Sequence, residues 1–490
     1  MTALYLKQRK IPKRAPLKYV ELREPSCFEI VDSSNLRLPA TFLLKSTPYR
    51  DSQAQAARLS QQFIRQNRGL LGNFGITIDL VYDGTNIDLI LKTGIRIGAI
   101  PLLSPTTGKP DYGLVIKPRF NWSGIGPMLG EMGWRVIPSP LKLPLLPRSD
   151  RKIPLWVLST IILFRIQAML KRLERRFEYT EAEILAPRGT VNWSCYVTKK
   201  MSSANFLQVP CRYPDLRDDR ELLAAIHFTL RKQLASLETQ KTHGIAVVQL
   251  IALCQSLLER VRSVPARQPT PLAITSWLRG PLRTEVFRDG LQAVEWTIGE
   301  RGLAGLSDLQ GLPWVMSMEE FFEAWVETVV EKLAKQIGGI LKTGRKRETI
   351  SPLIWNPPYL GSQKYLLPDL ILEREDETII IDAKYKSHWE DMNRDQWSGL
   401  DEELKERHRT DLLQVLAYST LSTTKKIVSC LVYPCTNQLW ESLKRRKRSY
   451  HHASVYSGSR KVNLILIAIP METSAKEAVN NLADAIKSVN

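Results

Sequence analysis

The amino-acid sequence predicts a multidomain α+β protein: a β-rich N-terminal domain, a mainly helical middle region and a C-terminal α/β domain. Three observations carry this. Over residues 1–150 the apolar residues fall in short β-branched runs separated by turn signals. Over 151–304 they recur at helical spacing. Over 305–490 one strong helix is followed by short apolar strands and a further helix, the order of a small α/β domain.

In the first segment, residues 74–82 and 86–91 are apolar runs joined by Asp83, Gly84 and Thr85, a hairpin signal. Residues 95–102 and 113–117 read as a second strand pair around the turn at 106–110. Residues 52–67 are polar, alanine-containing and free of glycine and proline outside the ends, and predict a helix. The proline-rich stretch 137–147 reads as a linker. In the second segment, residues 155–177, 220–237 and 246–261 predict helices, with Arg188 to Trp193 a turn into a strand. In the third, a helix is predicted over 318–336 and another over 406–420. Strands are predicted at 366–372, 378–385, 427–433 and 462–469.

The chain has 490 residues, 43% hydrophobic and 24% charged, which excludes an extended polar polymer and leaves ample length for a buried core. Its net charge of +19 points to a polyanionic partner, with nucleic acid first and a solvated basic surface as the plain alternative. The six cysteines form no Cys-x-x-Cys pair and none adjoins a histidine, so neither a zinc site nor a disulfide framework is expected. The N-terminus lacks an apolar stretch of signal-peptide length, and the most hydrophobic run, 155–164, is too short to span a bilayer. The expectation is a cytoplasmic protein with no membrane partner.

The chemistry is concentrated in residues 366–385. A polar tract, 373–377, separates two apolar runs and reads as a hairpin loop. Asp382 and Lys384 are two apart and so project from one face of a strand. Pro368 opens the preceding strand, where a missing N–H is tolerated, and Asp369 follows it. The hairpin then sets Asp369 alongside Asp382. Two carboxylates and an ammonium suit phosphodiester hydrolysis: the acids hold Mg²⁺ (or Mn²⁺) as hard ligands, and the lysine orients water or offsets charge on phosphorus. Each half of the motif recurs alone, at Pro110–Asp111, Pro214–Asp215 and Glu403-Leu404-Lys405, but never in this combination. A structural hairpin with solvated end charges is the alternative.

Three flanking features bear on that choice. The predicted helix at 318–336 begins with a Ser317/Glu320 capping box and carries the stripe Met318, Phe322, Trp325, Val329. Glu323 borders this stripe within reach of a metal, although taken alone a glutamate there is more often a surface residue. Asp411, Gln414 and Tyr418 share one helix face, from which an amide and a phenol can meet a phosphate or brace the lysine. The run Lys444, Arg445, Arg446, Lys447 and Arg448 suits DNA backbone contact, or is a solvated loop.

Taken in order, Phe322-Glu323, Pro368-Asp369, Asp382-Ala383-Lys384-Tyr385, Gln414-xxx-Tyr418 and Leu431-Val432-Tyr433-Pro434 resemble the nuclease domain of McrC, the cleavage subunit of the 5-methylcytosine restriction system. The Gln-xxx-Tyr element is similar to that of RecB-type nucleases in the PD-(D/E)xK superfamily. More faintly, Gly98-Ala99-Ile100, residues 115–120, Arg188-Gly189-Thr190-Val191 and residues 209–213 resemble the upstream regions of the family.

The resemblance implies a PD-(D/E)xK endonuclease domain over 305–490. It also implies a magnesium-dependent subunit of a restriction and antiviral defence system that cleaves foreign DNA with a McrB-like AAA+ GTPase. This chain lacks a GxxxxGK[ST] loop and is not that motor. One departure stands out: Asp218-Asp219-Arg220-Glu221 replaces an expected asparagine–arginine pair, which loosens any link to methylated cytosine. The N-terminal 1–150 is expected to dock on the GTPase, or simply to cap the nuclease. A non-catalytic DNA-binding adaptor, and a transposon or repair nuclease of the same fold, are the competing functional readings.

Overall fold

The computed structural model describes residues 18–19, 27–44, 52–83, 86–120, 122–141, 143, 154–173, 176–217, 220–279, 284–299, 313–359, 361–457, 460–472 and 474–489. They form a mixed α/β protein in two compact units. One comprises Met1–Pro154, Thr242–Val247 and Ser307–Asn490, and the other Leu155–Lys241 and Val248–Leu306. Gly84, Thr85, residues 144–147 of the expected linker, Asp218 and Asp219 lie outside the described residues. Among the described residues, no helix is long and apolar enough to cross a membrane.

The N-terminal segment 1–150 and the C-terminal segment 305–490, read from the sequence as separate domains on either side of a helical middle one, share the first unit. The strand Trp314–Ser317 pairs antiparallel with Arg96–Leu102 and completes a five-stranded sheet otherwise built from N-terminal strands. Gly98 makes this possible. Its φ is +156° and a Cβ there would lie 2.1 Å from the Trp314 carbonyl oxygen, so no other residue fits. Glu131 accepts from Lys332 at 2.7 Å and from the Ala475 N–H at 3.2 Å. Arg135 reaches Glu327 at 3.1 Å and Glu331 at 2.6 Å. A linker composition was visible at 137–147, but Ser139–Pro140 is a strand on Trp314–Ser317. The proline signal reports an edge position, where a lost N–H costs nothing.

The predicted pairs at Thr77–Asp83 with Asn86–Lys92, and Arg96–Leu102 with Tyr112–Lys117, form as expected. The helix Ser52–Asn73 runs six residues past its expected end.

The C-terminal segment builds a six-stranded mixed sheet in the order Ile340–Thr343, Leu370–Glu373, Glu377–Ala383, Lys426–Cys435, Arg460–Pro470, Tyr450–Ser457. Glu377–Ala383 is buried at every position, as befits a strand covered on both faces. The long helix Met318–Ile337 starts where the capping box predicts: the Ser317 hydroxyl accepts from the Glu320 N–H at 3.3 Å. Its expected stripe of Met318, Phe322, Trp325 and Val329 is fully buried. The helix Glu402–Ser419 sets Val415 and Tyr418 against Ile380 and Leu431 of the sheet.

One predicted strand divides. Residues 366–372 become Tyr365–Leu366 and Leu370–Glu373, with Pro368 and Asp369 in the break. The strand Tyr450–Ser457 and the helices His388–Gly399, Asn437–Arg445 and Ala475–Lys487 were not foreseen. The strand's polar, histidine-bearing sequence carries no apolar run, because as an edge strand it needs none.

The second unit packs the predicted helix Leu155–Arg172 on Glu285–Ile298, which was not foreseen, and holds the predicted Arg220–Glu238 and the part of Ile245–Val261 from Val248 on. It also carries a three-stranded antiparallel sheet of Thr190–Val191, Val209–Arg217 and Arg176–Ile184. Gly189 turns into it with a φ of +64°, where a Cβ would meet the Arg212 carbonyl oxygen at 2.4 Å.

Candidate active site

The antiparallel register between Leu370–Glu373 and Glu377–Ala383 pairs Leu370 with Ile381. One step further sets Asp369 across from Asp382, at a spacing of about 4.5–5.5 Å between Cβ atoms for directly opposed residues. The Ala383 N–H donates to Asp369 Oδ2 at 2.8 Å, which locks the first acid onto the end of the second acid's strand. Lys384 follows and returns its Nζ to Asp382 Oδ2 at 2.9 Å. Asp369, Asp382 and Lys384 therefore meet at the C-terminal end of one buried strand.

Their electrostatics are those of crowded acids. Asp382 is wholly buried, and burial raises its carboxyl despite the Lys384 ammonium beside it. Asp369 is pushed up to about 8, first by burial and then by the charges of Asp382 and Glu323. Glu323, in the second turn of Met318–Ile337, is pushed up to about 7 by burial and by Glu319, and Lys384 acts in the opposite direction. Burial pulls the Lys384 ammonium down, but Asp382 and Asp369 outweigh it, so the lysine stays charged. Glu323 is thus felt by Asp369 and, by way of Lys384, shares a neighbour with both aspartates.

Asp369, Asp382 and Glu323 offer hard oxygen donors, the ligand type of a divalent cation. Asp382 Oδ1 is buried and accepts no hydrogen bond from the protein, a costly state that a cation relieves. Among the described residues no three acid, histidine or cysteine side chains are yet drawn into a closed ligand set; Asp369 Oδ2 is occupied by the Ala383 N–H.

Gln414 and Tyr418 lie beside the acids as a brace. Gln414 Nε2 donates to Tyr418 Oη at 2.8 Å, and Tyr418 Oη donates to the Leu367 carbonyl at 3.4 Å, two residues before Asp369. Asp411, on the same helix face, receives Lys386 Nζ at 2.6 and 2.8 Å and Tyr433 Oη at 3.0 Å. One helix thus holds the chain on both sides of the hairpin that carries the two aspartates. The sequence marked the shared face, but the partner, Lys386, shows only once the strand end is placed.

Two further groups escaped the sequence reading. Asp32 is buried and accepts from Tyr385 Oη at 3.0 Å and from the Arg119 backbone N–H. Arg119 lies over the Tyr385 ring at 4.3 Å and donates to the Ser387 hydroxyl. Long-range pairs of this kind leave no local pattern. His388 stacks on both His408 and Tyr433, with centroids 4.4 and 4.6 Å away. Burial, then the His408 charge, lowers its pKa to about 3.

The basic run occupies the end of the helix Asn437–Arg445 and the turn after it. Lys444, Arg445, Arg446, Lys447 and Arg448 are all exposed. Strands Glu377–Ala383, Lys426–Cys435 and Arg460–Pro470 are mutually parallel, and the Ala468 N–H binds the Ser449 carbonyl. The run therefore sits at the same sheet end as Asp382, three strand spacings or about 14 Å across. Lys444 is already engaged by Glu477 at 2.6 Å, and Arg446 by Asn393 at 3.0 Å.

A family model described as McrBC 5-methylcytosine restriction system component matches residues 145–434. No curated protein matches the chain. Among solved structures the chain is similar to a chain of the refined half-complex from the tetradecameric assembly of Thermococcus gammatolerans McrB AAA+ hexamers with bound McrC. The identity is 12%, over 95% of this chain and 100% of that one, with a TM-score of 0.43. It is also similar to a chain of the cryo-EM structure of the Thermococcus gammatolerans McrBC complex, at 14% identity over 63% of this chain and 88% of that one, with a TM-score of 0.26. Because the family model spans more than half of the sequence, the chain belongs to the McrBC 5-methylcytosine restriction system component family, as its resemblance to McrC implies.

Proposed function

We propose that this chain is the cytoplasmic, divalent-cation-dependent DNA endonuclease subunit of a McrBC-like defence system. In this reading residues 305–490 are its PD-(D/E)xK nuclease domain, and an AAA+ GTPase is its partner. The observation that carries this is the meeting of Asp369, Asp382 and Lys384 at one strand end, with Asp382 buried and one of its oxygens unsatisfied.

Asp382 and Asp369, with Glu323 from the facing helix, would hold Mg²⁺ or Mn²⁺. A cation bound there supplies Lewis acidity to the phosphate and acidifies its water. Lys384, kept charged by its acids, lies where it can orient the attacking water and offset the charge gathering on phosphorus. Tyr418 and Asp411 hold the two arms of the hairpin so that the acids keep their spacing. The exposed basic run at the same sheet end would bind backbone phosphates and contribute affinity without sequence preference.

Family membership supports a GTPase partner, since the Thermococcus gammatolerans chain is bound to McrB AAA+ hexamers. Docking through residues 1–150 remains part of the proposal, with the qualification that this segment is built into the same unit as the acids. The test is nicking of plasmid DNA by the purified chain with its GTPase partner, in Mg²⁺ and in EDTA. Cleavage in Mg²⁺ alone supports the nuclease. DNA binding with no cleavage under any divalent cation would favour the non-catalytic adaptor instead.

A further inference from the structure

Between the strands Ile340–Thr343 and Leu370–Glu373 the chain makes an excursion over residues 344–369. It is cinched at its waist by the ladder Ser351–Leu366 and Pro352–Tyr365, continued by the Leu353 N–H bonded to the Lys364 carbonyl at 2.8 Å. Its base is fastened directly to the first catalytic acid. The Gly344 N–H donates to the Asp369 carbonyl at 2.7 Å, and the Thr349 hydroxyl to the Pro368 carbonyl at 2.6 Å.

The tip is apolar and in the open. Ile354 is 91% exposed, Tyr359 60% and Trp355 44%. Trp314, Trp325 and Trp440 of the same unit are buried. The exposed rings are also fixed in place. The Trp355 indole N–H donates to the Gln363 carbonyl at 2.8 Å, and Tyr359 meets Trp355 edge to face at 6.1 Å. Exposed apolar groups that are held rigid mark a contact surface. The charge around them selects the partner. Lys346 and Arg347 on the turn before the excursion, and Lys364 on its return, are exposed. Glu348 spends its carboxylate on the Thr343 N–H at 2.9 Å.

We propose that Ile354, Trp355 and Tyr359 form a base-engaging element, which stacks on or wedges between the bases of DNA at the cleavage site while Lys346, Arg347 and Lys364 meet the flanking phosphates. The inference rests on the nuclease reading and deepens it. The element contacts the faces of bases, which every nucleotide offers, so it confers no sequence preference; its preference is for DNA that is single-stranded or easily unstacked. A basic rim fits a polyanion and opposes a second copy of the same rim. The base of the excursion is anchored at Asp369, and Gln363, which holds Trp355, is six residues from it, so the tip lies within about 20 Å of the acids.

The experiment uses the full chain in EDTA, so that binding is read without cleavage. The probes are a single-stranded oligonucleotide and a duplex carrying 2-aminopurine. For the double variant Trp355→Ala/Tyr359→Ala we expect single-strand affinity to fall by roughly tenfold or more, the scale of a base–aromatic stack. The 2-aminopurine brightening seen with the unaltered chain disappears, Trp355→Phe keeps most of it, and the melting temperature does not change. Equal binding and equal brightening by the double variant overturn the proposal, as does an unaltered chain that never brightens the probe. A double variant that binds DNA normally but changes oligomeric state in light scattering also overturns it, since the patch is then a protein interface. The two readings fail separately. If the double variant loses base engagement but the unaltered chain with its GTPase partner never cuts in Mg²⁺, the nuclease reading falls. If the unaltered chain cuts and the double variant still engages bases, only the element falls.

Discussion

Tyr385 donates its phenol to the buried carboxylate of Asp32 at 3.0 Å, across 353 positions of sequence. Tyr385 directly follows Lys384, so an N-terminal residue holds the segment that carries the candidate catalytic lysine. Arg119 completes the contact by lying over the Tyr385 ring and donating to Ser387. The N-terminal segment is therefore part of the site's support.

Asp32→Ala is expected to be strongly destabilising, by about 3–5 kcal/mol, because it leaves the Arg119 guanidinium buried without its counter-charge. Tyr385→Phe loses one hydrogen bond, about 1 kcal/mol, and keeps the ring under Arg119. Urea unfolding of both variants checks the order. Equal effects would mean that the Asp32–Arg119 pair contributes little. For the same reason, removal of residues 1–150 should yield an aggregating chain, since Trp314–Ser317 loses the strand it pairs with.

The crowded acids predict how stability responds to pH and to cations. Asp369 titrates at about 8 and Glu323 at about 7 when folded, and near 4 when unfolded. Between those values the folded chain binds more protons, so these groups lower stability progressively as pH rises from about 4 to 8. A cation that replaces the protons reverses the loss. The rise in melting temperature on adding Mg²⁺ should be larger at pH 8 than at pH 5.5 and vanish in Asp382→Asn. Without divalent cations, Asp382→Asn should be more stable than the unaltered chain at pH 8. A Mg²⁺ shift that is the same at both pH values speaks against this site.

His388 acts on the opposite side of the profile. Its folded pKa of about 3 lies below the unfolded value near 6.5. The unfolded chain takes up a proton that the folded chain refuses, so stability is lost as pH falls from 6.5 toward 3. His388→Phe keeps a ring stacked on His408 and Tyr433 and removes the titration. Its stability should be flatter over that range by up to about 1.4 kcal/mol per pH unit. An unchanged acid limb would show that the imidazole is not held neutral.

The basic run should divide into engaged and available charges. Lys447→Ala/Arg448→Ala should reduce the slope of log affinity against log salt for DNA by about 2. Lys444→Ala should change it less, because Glu477 already pairs with that ammonium. Fluorescence anisotropy over a salt series separates the two, and a larger effect from Lys444 contradicts the assignment.

Much of the candidate site was readable in sequence because its geometry is local. Two-residue alternation puts Asp382 and Lys384 on one face, and the polar tract 373–377, whose middle three residues form the turn between the strands, folds Asp369 back beside them. The helix face of Asp411, Gln414 and Tyr418 follows from 3.6-residue periodicity. Asp32 and Arg119 could not be read, since a lone buried aspartate and an arginine after a strand have no periodic signature. The shared unit of the two ends was hidden for a related reason: four residues, Trp314–Ser317, decide it by pairing with a strand more than two hundred positions earlier. The break at Pro368–Asp369 was missed because an apolar run shows strand character without showing where pairing stops. The edge strand Tyr450–Ser457 was missed because polar edge strands look like loops.

The account depends above all on Asp382, whose carboxylate is buried, half unsatisfied and beside Lys384. The decisive measurement compares Mg²⁺-dependent DNA cleavage by the unaltered chain and by Asp382→Ala, each with the GTPase partner. Circular dichroism and DNA affinity are matched beforehand. Loss of cleavage with folding and binding retained is the predicted result. Cleavage by Asp382→Ala at the rate of the unaltered chain would contradict it.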